Sequence, residues 1–327
     1  MNRVDTASAR HHTYLLASRL FLGGLNDALL PYVEQIPELA TVCPHRFDPE
    51  KEAVDHHQIF SFDIFPYESI FRDPSGLLGG AYRSLVQERY ERSAFQQIIN
   101  ADHIGYELAF LAYLCSVEAT MLESNQVVEA SHVTQEQYGF LQDHLLRWLP
   151  PFVNALALSG QPFYATLGQL TLQLAYDHLL QIDTADNKWI NQVNFHSDFT
   201  LPDAPDILQE NQTSLKQVSR FLITPPYSGL YLSHSSIVKL ARNHQLPRGF
   251  GDRHQLLTNL LRAAGQYEVV PALLEQLIAV TITWNHAYQK QIENFLEIEN
   301  WIRPWQKRAA ETSSYLSQMV NMVSMAV

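Results

Sequence analysis

The sequence predicts an all-α protein. Two observations carry this. Apolar residues recur at helical spacing almost throughout, and Val, Ile and Thr runs with two-residue alternation are scarce. No part of the pattern needs a strand to explain it.

The elements follow in order. Leu15 to Leu30 reads as a first helix, with Pro31 at its end or a kink. A long connector covers 43 to 74, with Pro44, Pro49, Pro66, Pro74 and a polar Asp55-His56-His57 tract. Ser75 to Glu91 is a second helix, loosened by Gly76, Gly79 and Gly80. Asp102 to Glu123 is the third, with Leu108, Leu111, Leu114 and Cys115 on a broad apolar side. Thr134 to Leu158 is a fourth, bent near Pro150-Pro151, and Gln161 to Ile182 a fifth. Asn194 to Asp206 carries two prolines and three aspartates and reads as a linker or long surface loop. Helices are then expected near 207–222, 234–244, 252–264, 266–287 and 288–322, the last broken near Pro304. This organisation predicts one domain over 1–195 and an all-helical extension over 206–327.

A chain of 327 residues, 46% hydrophobic, can bury a substantial core. Its 34 acidic residues against 22 basic ones give a formal charge of −12, which argues against general nucleic-acid or anionic-membrane binding. It suits a partner carrying positive charge. Two cysteines, Cys43 and Cys115, make no disulfide framework and point to a reducing cytoplasm. The N-terminus holds Arg3, Asp5, Arg10, His11 and His12 and no apolar core of signal-peptide type. No run approaches the length of a membrane span.

The candidate site has two parts. In Pro66-Tyr67-Glu68-Ser69-Ile70-Phe71 proline fixes the chain, and Tyr67 and Phe71 flank a carboxylate and a hydroxyl, Glu68 and Ser69. Such a loop offers an apolar pocket with a negative rim; equally, Tyr67 and Phe71 can plug the core, the simpler role for Phe71. Glu68 between aromatics needs a partner or water. In the third helix Asp102 reads as the N-cap. His103 sits at the positive end of the helix dipole, which disfavours its charged form, while Glu107, one turn on, favours it. No Gly-x-Ser-x-Gly elbow, Gly-x-Gly-x-x-Gly turn, P-loop or Cys-His dyad is present. Leu246 to Arg253 reads as a structural turn into a helix capped by Asp252. Asp55, His56, His57, His103 and His144 could supply a metal in an all-helical hydrolase, the competing reading, but they follow no ligand spacing. Pro226 to Tyr231 aligns with Pro66 to Phe71 at an offset of 160, through real duplication or chance. If the two are copies, the Tyr227 loop and the Asp252 helix should be built like the Tyr67 loop and the Asp102 helix.

In combination, Pro66-Tyr67-Glu68-Ser69-Ile70-Phe71 and Asp102-His103-Ile104-Gly105-Tyr106-Glu107-Leu108 resemble the TorD/DmsD/NarJ family of cytoplasmic chaperones for molybdenum-containing redox enzymes. Phe140 to Pro150 and Phe163 to Thr171 resemble that family's next two helices, so the likeness spans about residues 10 to 185. Ala101 departs from it, since the family commonly has proline there. The resemblance implies a helical bundle, no enzyme activity and no cofactor. It implies binding of the twin-arginine signal peptide of a client oxidoreductase, with Tyr67, Glu68, Phe71, Asp102 and His103 in the peptide region. Ser69 and Glu107 complete the set by adjacency. A homodimer and a monomer both stay open.

Overall fold

The computed structural model describes residues 2–44, 46–96, 98–185, 199–204 and 215–325. Most of the expected linker at 194–206, and the chain from 207 to 214, lie outside them. The described residues contain no strand beyond one isolated bridge; the protein is all-α.

The helices are α1 (Arg3–Gly23), α2 (Leu30–Val33), α3 (Pro37–Val42), α4 (Pro49–Gln58), α5 (Glu68–Arg72), α6 (Gly80–Arg92), α7 (Ile104–Glu123), α8 (Val127–Phe140), α9 (Leu146–Leu158) and α10 (Pro162–Ala185). After them come α11 (Leu215–Ile223), α12 (Pro225–Ser228), α13 (His234–Asn243), α14 (Arg253–Gln266), α15 (Val270–Asn294) and α16 (Glu299–Met325).

Five boundaries that differ from expectation have a local reason. The first helix starts at Arg3, because Asn2 caps it by accepting from the Asp5 amide, and its buried face begins at Ala7. It stops at Gly24, whose φ of +73° leaves the helical region, and Pro31 opens α2 instead. Gly76 and Gly79 both adopt positive φ, so α6 begins only at Gly80. The fourth helix breaks not at Pro150-Pro151 but one turn earlier, in a π turn over Leu141–Leu145. The wide turn lies upstream of two prolines that a regular α-helix accommodates poorly. The final break falls at Phe295, which leaves helical geometry while its ring stays buried; Pro304 lies inside α16.

Contacts divide the chain into two compact units. The first contains 1–61, 65–69 and 77–198; the second contains 62–64, 70–76 and 199–327. In the first, α1 lies along α7, α7 against α8, and α9 against α10. Close approach of α1 and α7 depends on Gly105, where a Cβ would come 2.4 Å from Leu22 Cγ. The core is aromatic: Tyr90, Phe110 and Phe140 pack in sequence, tilted and edge-on, at 4.7 and 4.9 Å, and Phe21 lies 5.8 Å from Phe60 and from Phe152. A buried polar chain ties four helices together. Tyr14 Oη lies 3.0 Å from His178 Nδ1, His178 Nε2 2.9 Å from Gln137 Oε1, and Gln137 Nε2 3.1 Å from Glu118 Oε2. Burial holds His178 neutral, its pKa well below the usual value. One donor order then satisfies every member: Tyr14 to His178, His178 to Gln137, Gln137 to Glu118.

In the second unit α11 and α13 pack on α14, and α15 lies along α16. The apolar core includes Phe221, Leu222, Leu257, Leu260, Leu273, Leu274, Leu277 and Leu316. Gly229 follows α12 with φ +70°, and a Cβ there would meet Ala309 N at 2.5 Å and Trp305 O at 2.7 Å. The Phe71 ring stacks on Tyr231, 5.1 Å between centroids and 20° between planes. Asp63 accepts from the amide and hydroxyl of Ser235, both at 2.8 Å.

Candidate functional site

The two sequence segments meet in the first unit. Pro66 to Glu68 runs extended and antiparallel to the chain entering α7. The Ile104 amide donates to Pro66 O at 2.9 Å and the Glu68 amide to Asp102 O at 2.8 Å, forming the Tyr67–His103 bridge.

This pairing moves the helix start. It keeps the backbone extended through His103, at φ −80° and ψ 135°, so the helix begins at Ile104 and His103 is its N-cap. Asp102 is therefore not the cap, contrary to expectation. Its carboxylate accepts from the Ser69 amide at 3.2 Å and from the Ser69 hydroxyl. Ser69 Oγ also accepts from the Gly79 amide at 2.8 Å. Gly79, at φ +90°, is the N-cap of α6, so one serine links the loop, the α7 entry and the α6 entry.

Beneath this layer the carboxylates have partners the sequence did not reveal. Glu68 Oε2 is hydrogen-bonded to His144 Nδ1 at 3.0 Å, and His144 stacks on Phe140. The π turn is what presents His144 to Glu68. Trp148 Nε1 donates to Glu107 Oε2 at 3.2 Å. Tyr90 Oη donates to Ala101 O at 2.8 Å, and burial together with Glu107, Glu68 and Asp102 pushes its pKa well up. Glu68, Asp102 and Glu107 are buried to within 1% of complete. Burial raises the Asp102 pKa; the two Ser69 hydrogen bonds oppose that and the Glu68 charge adds to it. The carboxyl groups therefore lie under the surface, not on its rim.

His103 reaches the surface, with 9% of its area exposed. The Gly105 amide donates to its Nδ1 at 3.0 Å, so Nδ1 carries no proton. Burial, with a smaller contribution from His56, lowers its pKa to about 4. The ring is then neutral at pH 7 with its proton on Nε2. Burial thus outweighs Glu107, whose charge was expected to favour the imidazolium. Tyr67 packs edge-on against His103 at 5.0 Å, and Tyr106 at 5.8 Å. Both tyrosines are partly exposed. Among the described residues, His103 Nε2 and the hydroxyls of Tyr67 and Tyr106 have no hydrogen-bond partner. Tyr106 was not singled out from the sequence, nor was His144 as the partner of Glu68. Phe71 stands apart: its ring is fully buried on Tyr231 in the second unit.

The residues considered for a metal are engaged elsewhere. His56 Nε2 bonds Phe21 O at 3.0 Å, His57 Nδ1 bonds Ser61, and Asp55 pairs with Lys51. Among the described residues no three His, Cys, Asp or Glu side chains are arranged to hold a metal ion. Burial pushes the Cys115 thiol well above its usual range. The supposed second copy is built on different contacts. Asp252 does cap its helix, in a reciprocal capping box with Gln255, and Gly229 stands where Ser69 would be.

The first unit thus sets an aromatic, hydrogen-bonding surface over a layer of buried carboxylates. A sequence model described as nitrate reductase delta subunit matches residues 26–154, which hold every residue of this site. The chain is 33% identical to the chaperone protein TorD of Vibrio vulnificus (strain YJ016) over 150 residues, 42% of this chain and 68% of that protein. It is 32% identical to TorD of Vibrio cholerae (El Tor Inaba N16961) over 157 residues, 45% of this chain and 69% of that one. It is 27% identical to TorD of Vibrio parahaemolyticus over 169 residues, 47% and 76% respectively. No solved structure matches it. The chain belongs to the TorD/NarJ family of redox-enzyme maturation chaperones. No described helix is long and apolar enough to cross a membrane.

Proposed function

We propose that this chaperone binds the twin-arginine signal peptide of a molybdenum-containing oxidoreductase and holds that enzyme in the cytoplasm until its cofactor is inserted. The family membership and its chaperone relatives support the chaperone role. One observation supports the peptide site: the hydrogen-bonding groups of Tyr67, His103 and Tyr106 gather over three buried carboxylates. Two partly exposed tyrosine rings offer faces to a guanidinium, a contact of about 0.5–2 kcal/mol. The carboxyls of Glu68, Asp102 and Glu107 lie beneath this surface and support it without touching the peptide. The fixed Nε2–H of His103 donates to a peptide carbonyl. Ser69 orders the loop rather than touching the peptide. Phe71 holds the loop's far end.

The test is calorimetric titration of the full chain with a twin-arginine peptide and with its twin-lysine counterpart. The twin-arginine form should bind more tightly, because a planar guanidinium stacks better than an ammonium. Tyr67→Leu and Tyr106→Leu should each weaken binding about ten-fold, or 1.4 kcal/mol. Glu68→Gln, a change beneath the surface at the partner of His144, should weaken it less. Unchanged affinity in all three folded variants would place the peptide elsewhere.

A further inference from the structure

The chain-wide charge of −12 conceals a split. Between Leu215 and Gln266, the span of α11 to α14, stand seven Lys or Arg and a single acid, Asp252. The rest of the chain carries 15 Lys or Arg against 33 Asp or Glu. The described part of the second unit therefore holds a basic module in an otherwise acidic protein. Six of its cations, Lys216, Arg220, Lys239, Arg242, Arg248 and Arg262, are exposed and make no ion pair among the described residues. The seventh, Arg253, lies over the Tyr231 ring at 4.2 Å and donates to Leu232 O.

The module also presents an apolar tip. Phe250 is 91% exposed, the most exposed large apolar side chain described. Gly249 and Gly251 flank it. The tip is held in place: Gly251 has φ +111°, and the Asp252 amide donates to Gln255 Oε1 at 3.2 Å within the capping box. Contacts join the tip to the cations. A Cβ built on Gly249 would lie 3.2 Å from the Asn259 Cβ, so the turn runs beside Asn259, and Arg262 donates to Asn259 Oδ1 at 3.1 Å. Arg248 and Phe250, which flank Gly249, thus stand on the turn next to the Asn259–Arg262 stretch of α14. Around the start of α14, His254 bonds Lys216 O and receives the Ser219 hydroxyl on its own carbonyl, which brings the Lys216–Arg220 face of α11 to the same end.

We propose that this module docks the protein on an anionic membrane surface, with Phe250 entering the headgroup layer and the surrounding cations resting on the lipid charges. Unpaired cations spread around a projecting aromatic suit a planar, diffuse anionic array. A nucleic acid would instead be tracked by a groove with rings laid flat for stacking, and the one projecting ring here stands alone on a glycine-flanked turn. The acidity of the rest of the chain does not prevent docking at physiological salt, where screening acts over about 8 Å and the local patch dominates. Docking would hold a chaperone where membrane-bound clients are assembled, independently of the peptide site.

The experiment is co-sedimentation of the full chain with vesicles of phosphatidylcholine alone and of phosphatidylcholine with phosphatidylglycerol. Binding is expected only to the anionic vesicles and should fall with added salt. Each cation near such a surface is worth about a five-fold factor, from about 1 kcal/mol at 1.4 kcal/mol per ten-fold. Arg248→Gln with Arg262→Gln should therefore weaken partitioning about 25-fold. Phe250→Ser should weaken it while leaving the salt dependence in place. All three positions are surface ones, and circular dichroism checks the fold. No binding to anionic vesicles, equal binding to both kinds, or binding indifferent to Phe250→Ser and to the double variant would overturn the proposal. So would tighter binding to a short DNA duplex than to the vesicles.

Discussion

Lowering the pH should destabilise the protein through His103. The residue has an ordinary pKa of 6.5 and one of about 4 in the fold, the native state disfavouring its proton. Protonation would place charge in a nine-tenths buried ring, at the positive end of α7, and replace the acceptor for the Gly105 amide with a second donor. The sign follows. Between 6.5 and about 4 the unfolded chain binds the proton and the native one does not, so stability present at neutral pH is lost as pH falls through that window. The loss is about 2 kcal/mol on going to about pH 5, and about 3 kcal/mol across the whole window. His56, also lowered chiefly by burial, acts in the same direction, whereas the raised carboxyl of Asp102 acts against it at the acid end. Subtraction therefore isolates His103: urea unfolding of wild type and His103→Asn, which keeps a capping side chain, should diverge as pH drops, with the variant flatter. Nitrogen-resolved NMR of labelled histidine should show the Nε2–H tautomer titrating near 4. A His103 that titrates near 6.5, or that carries its proton on Nδ1, would refute the argument.

Two glycines at positive φ should behave differently. Gly160→Ala, at φ +77° with nothing within 4 Å of the added carbon, should cost about 1 kcal/mol. Gly229→Ala drives that carbon into the backbone of α16 and should cost about 3 kcal/mol or more, read as a larger drop in unfolding midpoint. Tyr14→Phe removes the donor to His178 Nδ1 in a fully buried site and should cost about 1–3 kcal/mol by chemical denaturation. Cys115→Ser should leave a hydroxyl in a fully buried site and lower stability without altering peptide affinity.

Fold class was legible because helical periodicity is a local property, and α7, α10, α13 and α14 lie close to where the spacing puts them. The candidate site was legible as two segments and not as an arrangement. Whether Asp102 or His103 caps α7 turns on the pairing of His103 with Tyr67, a contact across 36 positions that no local signal announces. The same holds for Glu68: its need for a partner follows from its apolar neighbours, but naming His144 requires the π turn that aims it. Burial of the carboxylates is a tertiary result too. A loop of aromatic and acidic residues can present either face, and backbone pairing on α7 decides which. The basic module escaped notice because a charge summed over the whole chain averages one short basic span with an acidic remainder.

The way the chain is partitioned bears on any attempt to shorten it. The second unit takes Phe62–Ile64 and Ile70–Gly76 from early in the sequence, so a cut after residue 198 does not separate two self-contained pieces. It would strip Tyr231 from the face of Phe71 and Ser235 from the carboxylate of Asp63. The exposed phenylalanine ring and the unanchored aspartate would then lie within eight residues of Tyr67 and Glu68. A truncated protein that fails to bind peptide would thus say little about which half carries the binding surface. Point substitutions in the full chain, or a cut made together with Phe71→Ser, are the informative alternatives.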